Sequence, residues 1–126
     1  MVFVVDDDAT ICRALERLLR SAGRAVESFP SAEAFLARTP APNTGWLLVD
    51  VCMPQMSGPE LQARLTARGS LLQVIFMSAL DDQHVRASVL SAGARRFFSK
   101  PVDGEALLAA LNEAESADES LIEQAR

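Results

Sequence analysis

The sequence predicts an α/β fold in which a parallel sheet is covered by helices on both faces. Short apolar runs rich in β-branched residues alternate along the chain with segments of helical periodicity. The chain has 126 residues, of which 49% are hydrophobic. This length and composition suit one domain with a single substantial core.

The predicted strands are short runs bounded by turn-forming or charged residues. They cover residues 2–5, 24–29, 46–51, 72–77 and 96–99, and the second of them has the weakest signal. Most of them lack a polar residue at every second position, which is typical of strands buried on both faces. Five strands alternating with helices indicate right-handed crossovers and a parallel sheet.

The first helix carries the clearest periodicity. Its apolar residues recur at i, i+4, i+7 and i+11 and are Ile11, Leu15, Leu18 and Ala22. Asp8 is expected to cap its start and Gly23 to end it. Further helices are predicted at 31–38, 59–68, 82–91 and from Asp103 onward, and residues 39–45 form a loop because they contain two prolines and a glycine.

Composition excludes several classes of protein. No apolar stretch approaches the roughly 18 residues of a membrane span, and the N-terminus lacks the order of a signal peptide, so a cytoplasmic protein is expected. Cys12 and Cys52 have no metal-ligand spacing and are interpreted as reduced thiols. The net charge of -5 argues against direct binding of nucleic acid by this chain.

Polar residues stand at the predicted carboxyl ends of the strands. They are Asp6 and Asp7 after the first strand, Asp50 in the third, Ser78 after the fourth and Lys100 after the fifth. Ligands of open α/β sheets bind at this edge, so distant residues can converge there. Lys100 is the single lysine among 12 basic residues, which indicates a site that requires a compact ammonium group.

These residues lie in motifs that resemble the response-regulator receiver domain. The matching motifs, in chain order, are VVDD (4–7), LLVDVCMPQMSG (47–58), FMSA (76–79) and FFSKP (97–101). The resemblance covers residues 2–114. It implies a flavodoxin-like (βα)5 sheet of five parallel strands in the order 2-1-3-4-5, a fold for which a receiver is a standard example.

The resemblance also implies an aspartyl-phosphate site. Asp50 would be the phospho-acceptor, since an aspartate carboxylate can attack phosphorus. Mg²⁺, for which Mn²⁺ can substitute, would be bound directly by Asp7, by Asp50 and by the main-chain carbonyl of Cys52. Asp6 would contact the metal largely through water.

Further residues would hold the phosphoryl group and respond to it. Lys100 and the Ser78 hydroxyl would contact phosphoryl oxygens, and the small Ala79 would leave room for them. Ser78 and Phe97 would act as the switch, moving together and altering the face formed by the fourth helix, fifth strand and fifth helix. A cis peptide before Pro101 would direct the lysine into the site.

The implied role is a regulatory phospho-acceptor rather than an ordinary enzyme. Its partners would be a sensor histidine kinase and, after phosphorylation, a second copy of the chain. Residues 1–114 would form the receiver, and residues 115–126 an acidic tail or linker leading to an output domain outside this chain. The segment SAEAFL (31–36) resembles receivers attached to helix-turn-helix transcriptional outputs.

Two departures from the family pattern refine these expectations. Arg95 and Arg96 stand where many receivers carry an acid, so acid-based dimer contacts do not carry over. Cys52 and Leu80 occupy positions that influence attack of water on the acyl phosphate in similar domains. Neither side chain is suited to orient water, so we predict slow self-dephosphorylation.

Two alternatives remain open at this stage. Asp6, Asp8 and Thr10 also fit the D-x-D-x-T signature of haloacid-dehalogenase-like phosphatases, with Asp6 as nucleophile and Asp8 as general acid. Against it, the acid pair at 81–82 precedes Lys100 instead of following it, the chain is short for such an enzyme, and Asp50 has no role. The other alternative is an unphosphorylated interaction module, against which the intact set of pocket residues argues.

Overall fold

The computed structural model describes residues 1–80 and 82–124, with side chains described to residue 115. Its strands are β1 (Val2–Val5), β2 (Val26–Phe29), β3 (Trp46–Asp50), β4 (Gln73–Ser78) and β5 (Arg96–Ser99). Its helices are α1 (Ala9–Ser21), α2 (Ala32–Leu36), α3 (Gly58–Ala67), α4 (Gln83–Ser91) and α5 (Gly104–Gln124). The predicted elements are confirmed, with most ends within two residues of expectation.

The strands form one parallel sheet in the order β2-β1-β3-β4-β5, as the resemblance implied. Both β2 and β3 pair with β1, so the chain crosses from one side of β1 to the other at this point. Ligands of open α/β sheets bind where the strand order reverses in this way. The carboxyl ends of β1 and β3 therefore lie side by side.

Alternate residues of each strand pack into two apolar layers. Phe3 and Val5 join Leu47, Val49 and Phe76 on one side of the sheet. On the other side, the remaining strand residues pack against α1 and α5; they are Val2, Val4, Trp46, Leu48, Ile75 and Met77. Burial on both faces of β1, β3 and β4 explains why the sequences of these strands show no polar alternation.

The buried face of α1 differs from the predicted one. Cys12, Leu15 and Leu19 are its buried residues, whereas Ile11 and Leu18 are half-buried and Ala22 is exposed. Ala22, the last residue of the apolar repeat, lies just beyond α1 as its C-cap. Asp8 caps the helix as expected, accepting a hydrogen bond from the Thr10 N–H.

The last helix is attached at the amino ends of the strands, opposite the carboxyl ends where the polar residues lie. Glu115 accepts hydrogen bonds from the Arg24 guanidinium and from the indole N–H of Trp46, at 2.8 and 3.1 Å. Arg24 also donates to Asn112. The helix runs on to Gln124 through most of the segment expected to be a tail or linker, of which residues 125–126 lie outside the described residues.

No helix among the described residues is long and apolar enough to cross a membrane.

Candidate functional site

Three carboxylates meet at the carboxyl ends of β1 and β3. Val5 pairs with Val49, so Asp6 and Asp50 are the next residues on neighbouring strands. Each of Asp6, Asp7 and Asp50 offers an oxygen within 4.8 Å of the others. The pairing of β1 with β3 thus brings together Asp6 and Asp50, which are 44 positions apart in the sequence.

The adjacent acids Asp6, Asp7 and Asp8 serve different purposes. Asp6 is buried, and its two oxygens accept hydrogen bonds from the Asp8 N–H and the Lys100 ammonium, at 2.9 and 2.8 Å. Asp7 is exposed, and Asp8 is occupied with capping α1. Of the acids in this run, only Asp6 and Asp7 therefore belong to the carboxylate cluster.

Lys100 enters the cluster from the end of β5. Its ammonium lies 2.8 Å from Asp6 and 3.4 Å from Asp50, and its side chain is largely buried. The main-chain N–H of Lys100 donates to the Ser78 carbonyl, and the peptide bond to Pro101 is cis, as the resemblance implied. The hydrogen bond to Ser78 therefore holds the main chain of Lys100, and two ion pairs hold its side chain.

The charged groups of this cluster shift the pKa values of their neighbours. Burial and the neighbouring Asp6 carboxylate raise the pKa of Asp50 above its usual value, although Lys100 acts in the opposite direction. Burial opposes charge on Lys100, but the hydrogen bond to Asp6 and the charges of both carboxylates outweigh it, so the pKa of Lys100 is raised. The cluster is thus an acidic site with incomplete charge compensation.

Ser78 stands at the end of β4, at the same edge of the sheet. Its hydroxyl oxygen is buried and accepts a hydrogen bond from the Leu80 N–H at 3.1 Å. An accepting hydroxyl keeps its own hydrogen available for donation. The next two residues, Ala79 and Leu80, are exposed at the rim of the site.

Phe97 is buried on β5 and packs in the same apolar layer as Val89 of α4 and the partly buried Val85. The guanidinium of Arg86, also on α4, lies 4.7 Å from the centre of its ring. Phe97 therefore connects the strand that precedes Lys100 with the helix that follows Ser78.

The donor set fits a small divalent cation. Carboxylate oxygens are hard ligands, and Mg²⁺ is usually bound by one or two of them together with waters and phosphate oxygens. The Cys52 carbonyl belongs to the loop that follows Asp50, while its thiol is exposed. The other thiol, Cys12, is buried and contacts the Asp6 carbonyl at 3.4 Å. Burial and the Asp6 charge raise the pKa of Cys12, which disfavours its thiolate form.

Sequence reasoning missed two residues that shape this loop. A Cβ on Gly58 would collide with the Asp50 carbonyl oxygen and lie 2.9 Å from the Phe76 ring. Only glycine fits there. Gly58 is the last residue of the MPQMSG motif, so the sequence did contain an indication of its role. The second is Glu33 of α2, whose carboxylate accepts a hydrogen bond from the Met56 N–H. Its contact is tertiary, so no local pattern indicated it.

A family model for the response regulator receiver domain matches residues 2–112 of this chain. The chain is a response-regulator receiver domain. Receivers are regulatory domains that accept phosphoryl groups from histidine kinases and bind Mg²⁺ at an aspartate cluster. The phosphatase alternative is therefore not favoured.

Similar response regulators are found in several bacteria. The response regulator protein TodT of Pseudomonas putida is 39% identical over 114 residues, covering 90% of this chain and 50% of TodT. The transcriptional regulatory protein FixJ of Azorhizobium caulinodans is 38% identical, covering 99% of this chain and 60% of FixJ. This receiver thus spans about half the length of the curated relatives it matches.

Solved structures agree with the fold. The crystal structure titled FixJ-N has a TM-score of 0.82 and 33% identity, covering 91% of this receiver and 92% of that chain. The response regulator StyR has a TM-score of 0.79 and 40% identity, covering 97% of this receiver and 65% of that chain.

Proposed function

We propose that this receiver is a phosphorylation switch whose acceptor is Asp50 and whose donor is a sensor histidine kinase. The observation that carries the proposal is the position of the Asp50 carboxylate, which lies beside two other carboxylates and 3.4 Å from the Lys100 ammonium. A nucleophile for phosphorus, a set of metal ligands and a cation for phosphoryl oxygens thus occupy one edge of the sheet.

The reaction transfers a phosphoryl group between two side chains. A carboxylate oxygen of Asp50 forms a bond to the phosphorus of a phosphohistidine as the phosphorus–nitrogen bond breaks. The electron pair of that bond stays on the kinase imidazole, and Asp50 becomes an acyl phosphate. Loss of the group requires water to attack the phosphorus, releasing inorganic phosphate and restoring the carboxylate.

The surrounding residues manage the negative charge. Lys100 pairs with one phosphoryl oxygen, exchanging part of its contact with Asp6, and the Ser78 hydroxyl donates to another. Ala79 leaves room for the group at the rim. Asp7, Asp50 and the Cys52 carbonyl would hold Mg²⁺, with Asp6 contributing through water, and the ion would supply positive charge against the phosphoryl oxygens.

The output follows from the residues that the phosphoryl group engages. Movement of the Ser78 hydroxyl toward it frees the Leu80 N–H, and Phe97 changes its packing against α4 in response. The face formed by α4, β5 and α5 would thereby change and promote a homodimer or act on an output domain. A nearly complete switch requires about 5.5 kcal/mol of differential stabilisation.

We propose a transcriptional output because curated relatives such as FixJ and TdiR are named transcriptional regulatory proteins. Residues 1–114 would be the receiver, and residues 115–126 would lead to the output domain. DNA would be bound by that domain rather than by this acidic chain. The receiver would catalyse only its own phosphorylation and dephosphorylation. A cytoplasmic location remains a prediction.

Intact mass spectrometry after incubation with Mg²⁺ and acetyl phosphate tests the proposal. Wild type is compared with Asp50→Asn and Asp6→Asn. A phosphoryl adduct that is lost in Asp50→Asn but retained, even at a lower rate, in Asp6→Asn is the expected result. An adduct that survives in Asp50→Asn and is lost in Asp6→Asn would contradict it and support the phosphatase chemistry.

A further inference from the structure

The loop that follows the phospho-acceptor is attached to a helix on the far side of β1. In this loop, residues 51–57, the N–H of Met56 donates a 3.0 Å hydrogen bond to the carboxylate of Glu33. Glu33 lies in the first turn of α2, which follows the edge strand β2. The bond therefore spans the carboxyl end of β1, where Asp6 and Asp7 lie.

The two ends of the loop are held by main-chain contacts. The Val51 N–H donates to the Met77 carbonyl of β4, and the Gly58 N–H donates to the Val51 carbonyl. Gln55 has a φ of 67°, a conformation that costs energy for a residue other than glycine. Met56 follows it and is buried, so the loop turns inward at this residue. Glu33 meets the main chain directly after the strained residue.

The bond supplies an acceptor oxygen that a shorter side chain would not bring within reach. The bond is partly buried and Met56 itself is buried, so losing the acceptor would weaken the attachment of the loop at this residue. Without Glu33, the loop would lose its hydrogen bond to α2 and be free to shift at Met56. Its other residues, Cys52 among them, would then move relative to Asp50.

We propose that Glu33 is a positioning residue for metal binding and phosphorylation, acting through the Met56 N–H on the loop that carries the Cys52 carbonyl. The inference rests on the proposed function, because the carbonyl matters only if this receiver binds Mg²⁺ beside Asp50. Residues that orient metal ligands from outside the coordination sphere commonly change metal affinity by 10- to 100-fold.

Variants of Glu33 separate the hydrogen bond from the charge. Glu33→Gln keeps an acceptor oxygen at the same distance along the side chain, whereas Glu33→Ala removes it. Glu33→Asp keeps the charge but is one methylene too short. Glu27→Ala is the matched control, because Glu27 pairs with Arg38 on the neighbouring surface.

Two measurements that do not depend on activity test the proposal: amide exchange of Met56 by NMR without Mg²⁺, and the Mg²⁺ dissociation constant by calorimetry. We expect faster exchange and a dissociation constant raised about tenfold in Glu33→Ala and Glu33→Asp. We expect wild-type behaviour in Glu33→Gln and in the control. The Mg²⁺ concentration for half-maximal phosphorylation should rise in parallel in the first two variants.

Two results would overturn the proposal. One is an unchanged dissociation constant in the folded Glu33→Asp or Glu33→Ala protein, and the other is an equal loss in Glu33→Gln. Unfolding curves identify any variant that fails to fold. If either Glu33→Ala or Glu33→Asp does not fold, the dissociation constant of the other one tests the proposal. Failure of the proposed function is distinguishable, since wild type would then gain no phosphoryl group while the exchange and calorimetric comparisons still report on Glu33.

Discussion

The Lys100 ammonium lies 2.8 Å from a carboxylate oxygen of Asp6. Its distance to Asp50 is longer, at 3.4 Å, although both acids are buried. Asp6 thus has the stronger pairing, with a second hydrogen bond from the Asp8 N–H. The negative charge of the Asp50 carboxylate is less fully neutralised by its neighbours. This suits a phospho-acceptor, whose oxygen must form a new bond to phosphorus.

The first prediction concerns the free energy of unfolding. The pKa of Asp50 is raised by burial and Asp6, so the ionised carboxylate destabilises the folded state at neutral pH. We expect Asp50→Asn to stabilise the protein by about 1 kcal/mol without Mg²⁺, measured by urea denaturation at pH 7. The gain should shrink as the pH falls through the raised pKa, because the folded wild type then takes up a proton.

Addition of Mg²⁺ provides the control for this prediction. The ion should stabilise wild type more than Asp50→Asn, because the variant lacks one of the three carboxylates that the ion would neutralise. If Asp50→Asn is less stable than wild type without Mg²⁺, the attraction between Lys100 and Asp50 outweighs the cost of burying Asp50 beside Asp6.

Much of the site was predictable because its residues follow buried strands. Asp6, Asp50 and Lys100 each stand at a strand end that apolar composition marks, and the parallel topology brings these ends to one edge. A capping signal located the start of α1 equally well, at Asp8. These signals are local in the sequence, so they can be recognised without knowledge of the tertiary structure.

Features that depend on contacts between distant elements were not predictable in this way. The buried face of α1 includes Cys12 and Leu19, which the apolar repeat did not contain, because the orientation of a helix on a sheet is set by packing as well as by periodicity. Glu33 and Glu115 look like ordinary surface acids in the sequence. Their partners, the Met56 N–H and Arg24, are fixed only by the tertiary structure.

A second prediction concerns Gly58, where α3 begins. A Cβ there would collide with the Asp50 carbonyl oxygen, so Gly58→Ala should destabilise the protein by about 2 kcal/mol and slow phosphorylation. Gly104→Ala is the matched control, since its Cβ would meet only the movable end of Leu18. Equal stability of the two variants in urea denaturation would contradict this assignment.

A third prediction concerns the lifetime of the acyl phosphate. Leu80 is 67% exposed at the rim of the site, and a carboxylate there could orient water. Leu80→Glu should therefore speed dephosphorylation at least about tenfold, followed as loss of the adduct in Mg²⁺ buffer. Leu71→Glu, at a leucine of similar exposure outside the site, should leave the rate unchanged. Loss of the phosphoryl group within seconds in wild type would contradict the slow rate expected here.

A fourth prediction concerns the attachment of α5. The hydrogen bond from Arg24 lowers the pKa of Glu115, against a smaller effect of burial, and the Trp46 N–H adds to the lowering. The ion pair therefore stabilises the fold above the ordinary glutamate pKa of about 4.3, and this stabilisation is lost as the pH falls through the lowered value.

Glu115→Gln tests this attachment through Trp46, the single tryptophan of the chain. Because Glu115 is partly exposed, we expect a loss of less than about 1 kcal/mol at pH 7, and a smaller difference from wild type in acid. Unfolding followed by tryptophan fluorescence measures both values. A difference that grows toward acid pH would contradict the predicted sign.

The most direct test of the central claim is to locate the phosphoryl group within the chain. Borohydride reduction converts an aspartyl phosphate to homoserine, and trypsin then separates the candidates. Asp50 is the single aspartate of the peptide 39–64, whereas Asp6 lies in the peptide 1–13. We predict homoserine at position 50 after treatment with acetyl phosphate and Mg²⁺. Homoserine at position 6 with an unmodified Asp50 would contradict the account.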